Sequence, residues 1–229
     1  MYPGNNLKKL QSRIDYQFVD VEYLKQALTH RSASSQHNER LEFLGDAVLG
    51  NIIALKLFQL FPDADEGQLS RLRAFLVKEK ALFELAQELA LGDFLKLGSG
   101  ELKSGGFRRA SILSDAFEAL IGAVYLDGGF DKTQSMVLSL YKEKLSSLSL
   151  DMAEKDPKTQ LQEWLQARNI ETPEYQVTRS SGKDHAKTYW VSCHINYRNY
   201  QTEGQGASRR KAEQAAASEI LQMIKAEPK

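Results

Sequence analysis

Acidic side chains set inside apolar helical runs constrain this chain more than any other feature. In Asn38-Glu39-Arg40-Leu41-Glu42-Phe43-Leu44-Gly45-Asp46-Ala47-Val48-Leu49 the acids Glu39, Glu42 and Asp46 fall at i, i+3 and i+7. On 3.6-residue geometry that spacing lines them along one face over roughly 10 Å of helix axis. Asp115 and Glu118 repeat the i, i+3 spacing in a similarly apolar stretch. A carboxylate among Leu, Phe, Val and Ala loses hydration, and like-charged neighbours add to the cost, so such a set persists most easily around a cation. Oxygen donors with no His or Cys among them suit Mg²⁺ or Mn²⁺ rather than zinc. The alternative is a solvated face, with Asn38 or Ser111 as a helix N-cap and the acids near the positive helix end. Asp46 lies too deep in its helix for that account.

A core must hold those acids in place, and 229 residues with 42% hydrophobic content can form one large domain or two smaller ones. Formal net charge is zero, but from Pro157 onward there are 11 Lys and Arg against 8 Asp and Glu, and before it 19 against 22. The C-terminal part is the basic one. A single cysteine, Cys193, forbids an internal disulfide and fits a reducing cytoplasm, with strand packing as its expected role. Met1 to Asn6 lacks a basic region followed by an apolar run, and the stretch near Val48 to Leu60 is broken by Asn51, Lys56 and Gln59. Neither a signal peptide nor a membrane span is expected.

Apolar residues recur at helical spacing from Leu7 to about Leu145, as in Leu82, Leu85, Ala86, Leu89 and Ala90, which predicts an all-helical first part. Breaks at Phe61-Pro62-Asp63, Gly98-Ser99-Gly100, Ser104-Gly105-Gly106 and Asp127-Gly128-Gly129 separate successive helices. Ser146 to Asp156 reads as connecting chain, ending at a proline suited to the first turn of a helix. The expected division is therefore 1–150, a linker at 151–156, and 157–229. Past the linker the period changes: a helix from Pro157 to about Arg168, strands near Tyr175 to Thr178, Lys187 to Ile195 and Arg198 to Glu203, then a helix from Ser208 to Ile224. The order is α-β-β-β-α.

The run Asn38 to Leu49 resembles the signature helix of the bacterial ribonuclease III family. Ser111-Ile112-Leu113-Ser114-Asp115-Ala116-Phe117-Glu118-Ala119-Leu120-Ile121-Gly122-Ala123 resembles its second acidic motif. The tail, from Pro157-Lys158-Thr159-Gln160-Leu161-Gln162-Glu163 through Gly204-Gln205-Gly206-Ala207-Ser208-Arg209-Arg210-Lys211-Ala212-Glu213, resembles a double-stranded-RNA-binding domain. The resemblance covers nearly the whole chain. It implies an all-α endonuclease domain followed by a small α+β (α-β-β-β-α) double-stranded-RNA-binding domain. The implied activity is a cytoplasmic, double-strand-specific endoribonuclease that leaves 5′-phosphate and 3′-hydroxyl ends and processes structured precursors of ribosomal, messenger and transfer RNA. By position, Glu42, Asp46, Asp115 and Glu118 are implied to hold Mg²⁺, with Mn²⁺ as a possible substitute, Asp46 and Glu118 being the most directly catalytic. Glu39 and Glu66 match further cleft acids that place the RNA, although an acid at position 66 also suits the first turn of a helix starting near Asp65. Phe43 matches the aromatic that plugs a socket on the second subunit of a homodimer; the alternative is a core phenylalanine.

Phosphodiester hydrolysis needs an activated water, a neutralised phosphate and a stabilised 3′-oxygen leaving group. Two metals roughly 4 Å apart can supply all three with no His or Lys at the reacting atom. The histidines His30, His37, His185 and His194 are not needed for it. In the tail, Thr159, Gln162, Glu163 and Gln166 form a polar stripe opposite Leu161, Trp164 and Leu165. That stripe is either a solvated face or a set of partners for the 2′-hydroxyls of an RNA minor groove. Gly182-Lys183-Asp184-His185 resembles the family's second minor-groove loop and carries His185, with Lys183 where a proline is usual. Ser208 as cap and Arg209, Arg210 and Lys211 beside the positive end of the last helix are placed to face phosphates. Glu213, where many relatives carry lysine, weakens that grip. Arg108 and Arg109 either guide backbone in the cleft or form a solvated basic loop. The expected partners are double-stranded RNA and a second copy of the chain, with no DNA substrate and no membrane. A non-cleaving RNA-binding regulator on the same fold competes with this reading, and the complete acid set argues against it. A metal phosphohydrolase of the His-Asp type lacks an adjacent His-Asp pair.

Overall fold

The computed structural model describes residues 4–153, 156–182 and 187–226, and the chain divides into two compact units, Met1–Ala153 and Glu154–Lys229. The first unit carries α1 (Gly4–Arg13), α2 (Val21–Ala27), α3 (Glu39–Leu60), α4 (Glu66–Val77), α5 (Glu79–Glu88), α6 (Ser99–Lys103), α7 (Ala110–Leu140) and α8 (Lys142–Ser146). Among the described residues its regular structure is helical, joined by loops and short 3-10 turns, with an isolated parallel bridge between Thr29 and Lys96. Local chemistry sets several boundaries. Asp65 starts α4 through a reciprocal capping box with Gln68, and Asp20 caps α2 by accepting from the Glu22 N–H.

The core is built around α3 and α7. Leu49, Ile52 and Ile53 of α3 and Phe117, Leu120 and Ile121 of α7 are fully buried. Each such side chain contributes about 1.5–3 kcal/mol relative to leaving it in water. The helical run of α7 is interrupted at Gly129, with φ 76° and ψ −176°, a conformation open to glycine and costly for other residues. The expected break at Asp127-Gly128-Gly129 is therefore present as a sharp bend. Asp127 accepts hydrogen bonds from Tyr16 Oη (2.7 Å) and from the backbone N–H groups of Val19 and Asp20 (both 2.8 Å), tying the loop after α1 to this bend. Burial pushes the Asp127 carboxyl up, but these bonds outweigh it and hold the group below its ordinary range.

The second unit carries α9 (Pro157–Gln166), β1 (Glu174–Ser181), β2 (Thr188–Ile195), β3 (Tyr200–Gly206) and α10 (Arg209–Lys225). The strands form one antiparallel sheet in the order β1-β2-β3, with Val177 opposite Val191 and Cys193 opposite Thr202. Val191, Cys193 and Ile195 alternate inward along β2 and are buried. Cys193 and Ile195 pack with Leu161 and Leu165 of α9 and Ala216, Ala217 and Ile220 of α10. Burial pushes the Cys193 thiol up to about 11. Strand boundaries differ from expectation at both ends of β1 and β3 and by one residue at the start of β2. β1 runs on to Ser181, past a bulge between Val177 and Arg179. β3 begins at Tyr200 rather than Arg198, because Tyr197–Asn199 form a 3-10 turn in which Arg198 (φ 50°) and Asn199 (φ 53°) are left-handed. Among the described residues no helix is long and apolar enough to cross a membrane.

Candidate active site

The acids meet because α3 and α7 touch backbone to backbone. A Cβ built on Gly45 of α3 would overlap the Glu118 carbonyl, and one on Gly122 of α7 would overlap the Leu41 carbonyl and lie 3.1 Å from the Gly45 nitrogen. Glycine at both positions permits that approach. Glu42 lies one turn before Gly45, and Glu118 one turn before Gly122, so the crossing sets their carboxylates side by side. Glu42, Asp115 and Glu118 each offer an oxygen within 4.8 Å of the others.

These acids are half-buried and mutually repelling. Burial first, then Asp46, Glu42 and Asp115, pushes the Glu118 carboxyl up to about 8. Burial also raises Glu42, with the charges of Asp115, Glu39 and Asp46 adding to it and Arg31 opposing. Asp115 is raised by burial and then by Glu79, against His30, Ser114 and Arg31. A cation between the three would relieve both the lost hydration and the repulsion. An all-carboxylate donor set fits a hard, oxygen-seeking divalent ion.

Asp46 stands one turn beyond Glu42, exposed, and is the strongest charge acting on Glu118. It is not one of the three clustered acids; it opens on a neighbouring hollow with Asn51, Phe58 and Arg73. Glu42 and Asp115 also line a cleft of about 580 Å³ with Glu39, Arg31, Asn38, Ser111 and Arg109. There Arg31 pairs with Glu39 at 3.1 Å and Arg109 with Glu101 at 2.5 Å. The Arg31–Glu39 pair is exposed. Such a pair contributes about 1 kcal/mol or less, so an incoming anion can displace it. Arg109 thus belongs to the cleft, whereas Arg108 does not line it and packs over the Phe107 ring at 4.9 Å.

Neither proposed cap is made. Asn38 precedes α3 with no capping hydrogen bond from its side chain. Ser111 lies inside the first turn of α7, where Arg109 precedes the helix. Glu66 is exposed in the first turn of α4, accepts a hydrogen bond from Ser70 Oγ at 2.7 Å and does not line the acidic cleft. The cap of that helix is Asp65. Phe43 is 80% exposed and borders an apolar hollow with Leu44 and Leu126, so it is not a core residue of the single chain.

In the second unit Thr159, Gln162, Glu163 and Gln166 are all exposed along α9, while Leu161 and Leu165 are buried beneath it. Ser208 caps α10 by accepting from the Lys211 N–H at 3.2 Å. Arg209, Arg210 and Lys211 are exposed beside it. Arg210 also reaches Asp156 at 3.3 Å. Glu213 turns to Lys158 at 2.5 Å, so its charge is balanced within the unit. Lys183 and His185 lie outside the described residues. Sequence reasoning did not single out Gly45, Gly122 or Arg31. The available signal was small residues one turn from embedded acids on two helices.

The first unit matches the family model described as Ribonuclease-III-like over residues 20–145. The second matches the double-stranded RNA binding motif over residues 157–224. Among curated relatives, "Ribonuclease 3" of Histophilus somni is 52% identical over 219 residues, spanning 96% of this chain and 98% of that one. "Ribonuclease 3" of a Marinomonas species is 54% identical over 217 residues, spanning 95% and 96%. Among solved structures, the nuclease domain of ribonuclease III from Campylobacter jejuni superposes with a TM-score of 0.60 at 44% identity, covering 63% of this chain and 99% of that one. A second structure of that domain, described by flexibility in a region involved in dimer formation, gives a TM-score of 0.59 at 46% identity over 60% of this chain and 96% of that one.

Proposed function

Because the chain belongs to the ribonuclease III family, we propose that it hydrolyses double-stranded RNA with Mg²⁺ held by Glu42, Asp46, Asp115 and Glu118, Mn²⁺ being a workable substitute. The observation that carries this reading is the convergence of Glu42, Asp115 and Glu118 oxygens within 4.8 Å across the α3–α7 crossing. Divalent cations, when bound, supply the activated water, the neutralised phosphate and the stabilised 3′-oxygen that the reaction requires. The side chains hold and orient. Glu118, pushed up by burial and by the neighbouring acids, would give up its proton when a cation binds, and with Asp46 it would be the most directly catalytic of the acids that hold the ion. Glu39 and Arg31 exchange their exposed pairing for contacts with the incoming strand, and Arg109 takes a backbone phosphate on the other wall of the cleft. Glu66 belongs to the proposal as an acid that helps place the RNA. The products carry 5′-phosphate and 3′-hydroxyl ends, and the work of the enzyme is processing structured RNA precursors in the cytoplasm.

The second unit supplies duplex selectivity. Thr159, Gln162, Glu163 and Gln166 meet 2′-hydroxyls in one minor groove, and His185 serves the next. Arg209, Arg210 and Lys211, beside the Ser208 cap, take the phosphates between them. DNA offers that stripe no 2′-hydroxyl. In a Mg²⁺ titration of cleavage on matched duplexes, the RNA duplex is therefore expected to be cut, and the RNA-DNA hybrid and the DNA duplex at most marginally. Comparable cutting of the DNA duplex would overturn the substrate assignment.

The enzyme works as a twofold dimer in which Phe43 plugs an apolar socket on the partner. Its 80% exposure in one chain supports that role. Truncating such a plug costs roughly 3–5 kcal/mol by cavity estimates. Phe43→Ala is expected to move the protein from dimer to monomer in sedimentation velocity, and an unchanged profile would remove the plug.

A further inference from the structure

Asn38 is 3% exposed and lines the acidic cleft with Glu42, Ser111 and Asp115. Its backbone is fully engaged: the N–H donates to the Thr29 carbonyl, and the carbonyl accepts from the N–H groups of Leu41 and Glu42, all at 2.9 Å. Its side chain is not. With φ −84° and ψ −14° the residue is already helical, whereas a capping residue is normally extended, and its carboxamide makes no capping bond. Among the described residues no other hydrogen bond to that carboxamide is formed. A carboxamide offers two donors and two lone pairs. Among the described residues Tyr175 Oη is the one fully buried side-chain polar atom without a partner, so the Asn38 amide keeps a narrow opening through which water or a hydrated ion can meet it. Its place beside Glu42 and Asp115 indicates what reaches it. The adjoining carboxylates repel a phosphate and attract a cation, and Mg²⁺ usually keeps several of its waters.

We propose that Asn38 is a positioning residue of the metal site, its carboxamide oxygen accepting a hydrogen bond from a water of the cation's hydration shell on the Glu42–Asp115 side. This rests on the metal reading of the acid cluster given above. The start of α3 fixes the Asn38 backbone, so the amide is held in place before any ion arrives, and it orients the hydrated ion without adding charge to a site already crowded with acids. Groups that orient a metal's environment in this way typically account for 10- to 100-fold in metal affinity.

The test uses the full chain without RNA, titrated with Mn²⁺ while the free hydrated ion is followed by electron paramagnetic resonance. Asn38→Ala is expected to bind Mn²⁺ about tenfold more weakly than the parent, with the helical circular dichroism retained. Asn38→Asp, which keeps an acceptor oxygen in the same place, is expected to bind at least as tightly as the parent. Equal affinity in Asn38→Ala and the parent overturns the assignment. If Asn38→Ala does not fold, Asn38→Asp decides alone, and weaker binding than the parent overturns it. A parent that takes up no Mn²⁺ brings down the metal reading together with this one, a result distinct from a parent that binds while Asn38→Ala binds equally well.

Discussion

Glu118→Gln is expected to reduce cleavage of duplex RNA about a thousandfold, roughly 4 kcal/mol of barrier, while duplex affinity stays near that of the parent. The side chain keeps its size and loses the charge that the other acids push against, so the lost activity is accompanied by a second signature. In the parent without metal, burial and the neighbouring acids push the Glu118 carboxyl up to about 8, well above an ordinary carboxyl. Between the ordinary value and about 8 the folded protein holds a proton that the unfolded chain has released. That contribution to stability is complete below the ordinary carboxylate range and is lost as pH rises through about 8. Melting temperature in chelator is thus expected to fall from pH 5.5 to pH 8.5, Mg²⁺ is expected to flatten the decline, and Glu118→Gln is expected to flatten it without metal. Single-turnover cleavage, filter binding and melting curves read these three effects separately. Parental cleavage by the mutant would remove Glu118 from catalysis, and a flat parental melting profile in chelator would remove its raised titration.

Gly122→Ala is expected to destabilise the first unit although the same exchange inside a helix ordinarily favours the helix by up to about 1 kcal/mol. The new Cβ would overlap the Leu41 carbonyl. Because that obstacle is backbone, no rotamer change can clear it, and overpacking of this kind costs roughly 1–3 kcal/mol. Relief comes by parting α3 from α7, which draws Glu42 away from Glu118. Metal affinity and cleavage are therefore expected to fall further than the loss of stability accounts for. Gly50→Ala in α3 serves as the comparison, since a Cβ there meets nothing within 4 Å, and it is expected to leave stability unchanged or higher. Urea unfolding with and without Mg²⁺ reads both variants. A Gly122→Ala protein as stable and as active as the parent would mean that the close crossing does not set the acid cluster.

Much of this arrangement is legible in the residues because its causes are local. The i, i+3 spacing of Glu39 with Glu42 and of Asp115 with Glu118 fixes which side chains share a helix face whatever the tertiary fold. Pro157 marks a helix start by its fixed φ, and Gly129 marks a bend that a side chain would resist. What escaped depended on neighbours distant in the chain. Asn38 is the residue type a helix start favours, and only its helical dihedral angles show that it does not cap. Arg198 carries no composition signal for a left-handed turn, yet its φ of 50° delays β3 until Tyr200. Glu213 by its position opposes phosphate, while its partner Lys158 stands 55 residues earlier. Phe43 could not be told from a core residue until the packing around α3 was known.

The sole thiol of the chain is sealed inside the smaller unit, between its sheet and helices, and it resists ionising. An alkylating reagent can therefore mark it only when that unit springs open. The untouched protein carries a built-in clock for the breathing of one half of the molecule, one that duplex RNA should slow in proportion to how firmly it clamps that half shut.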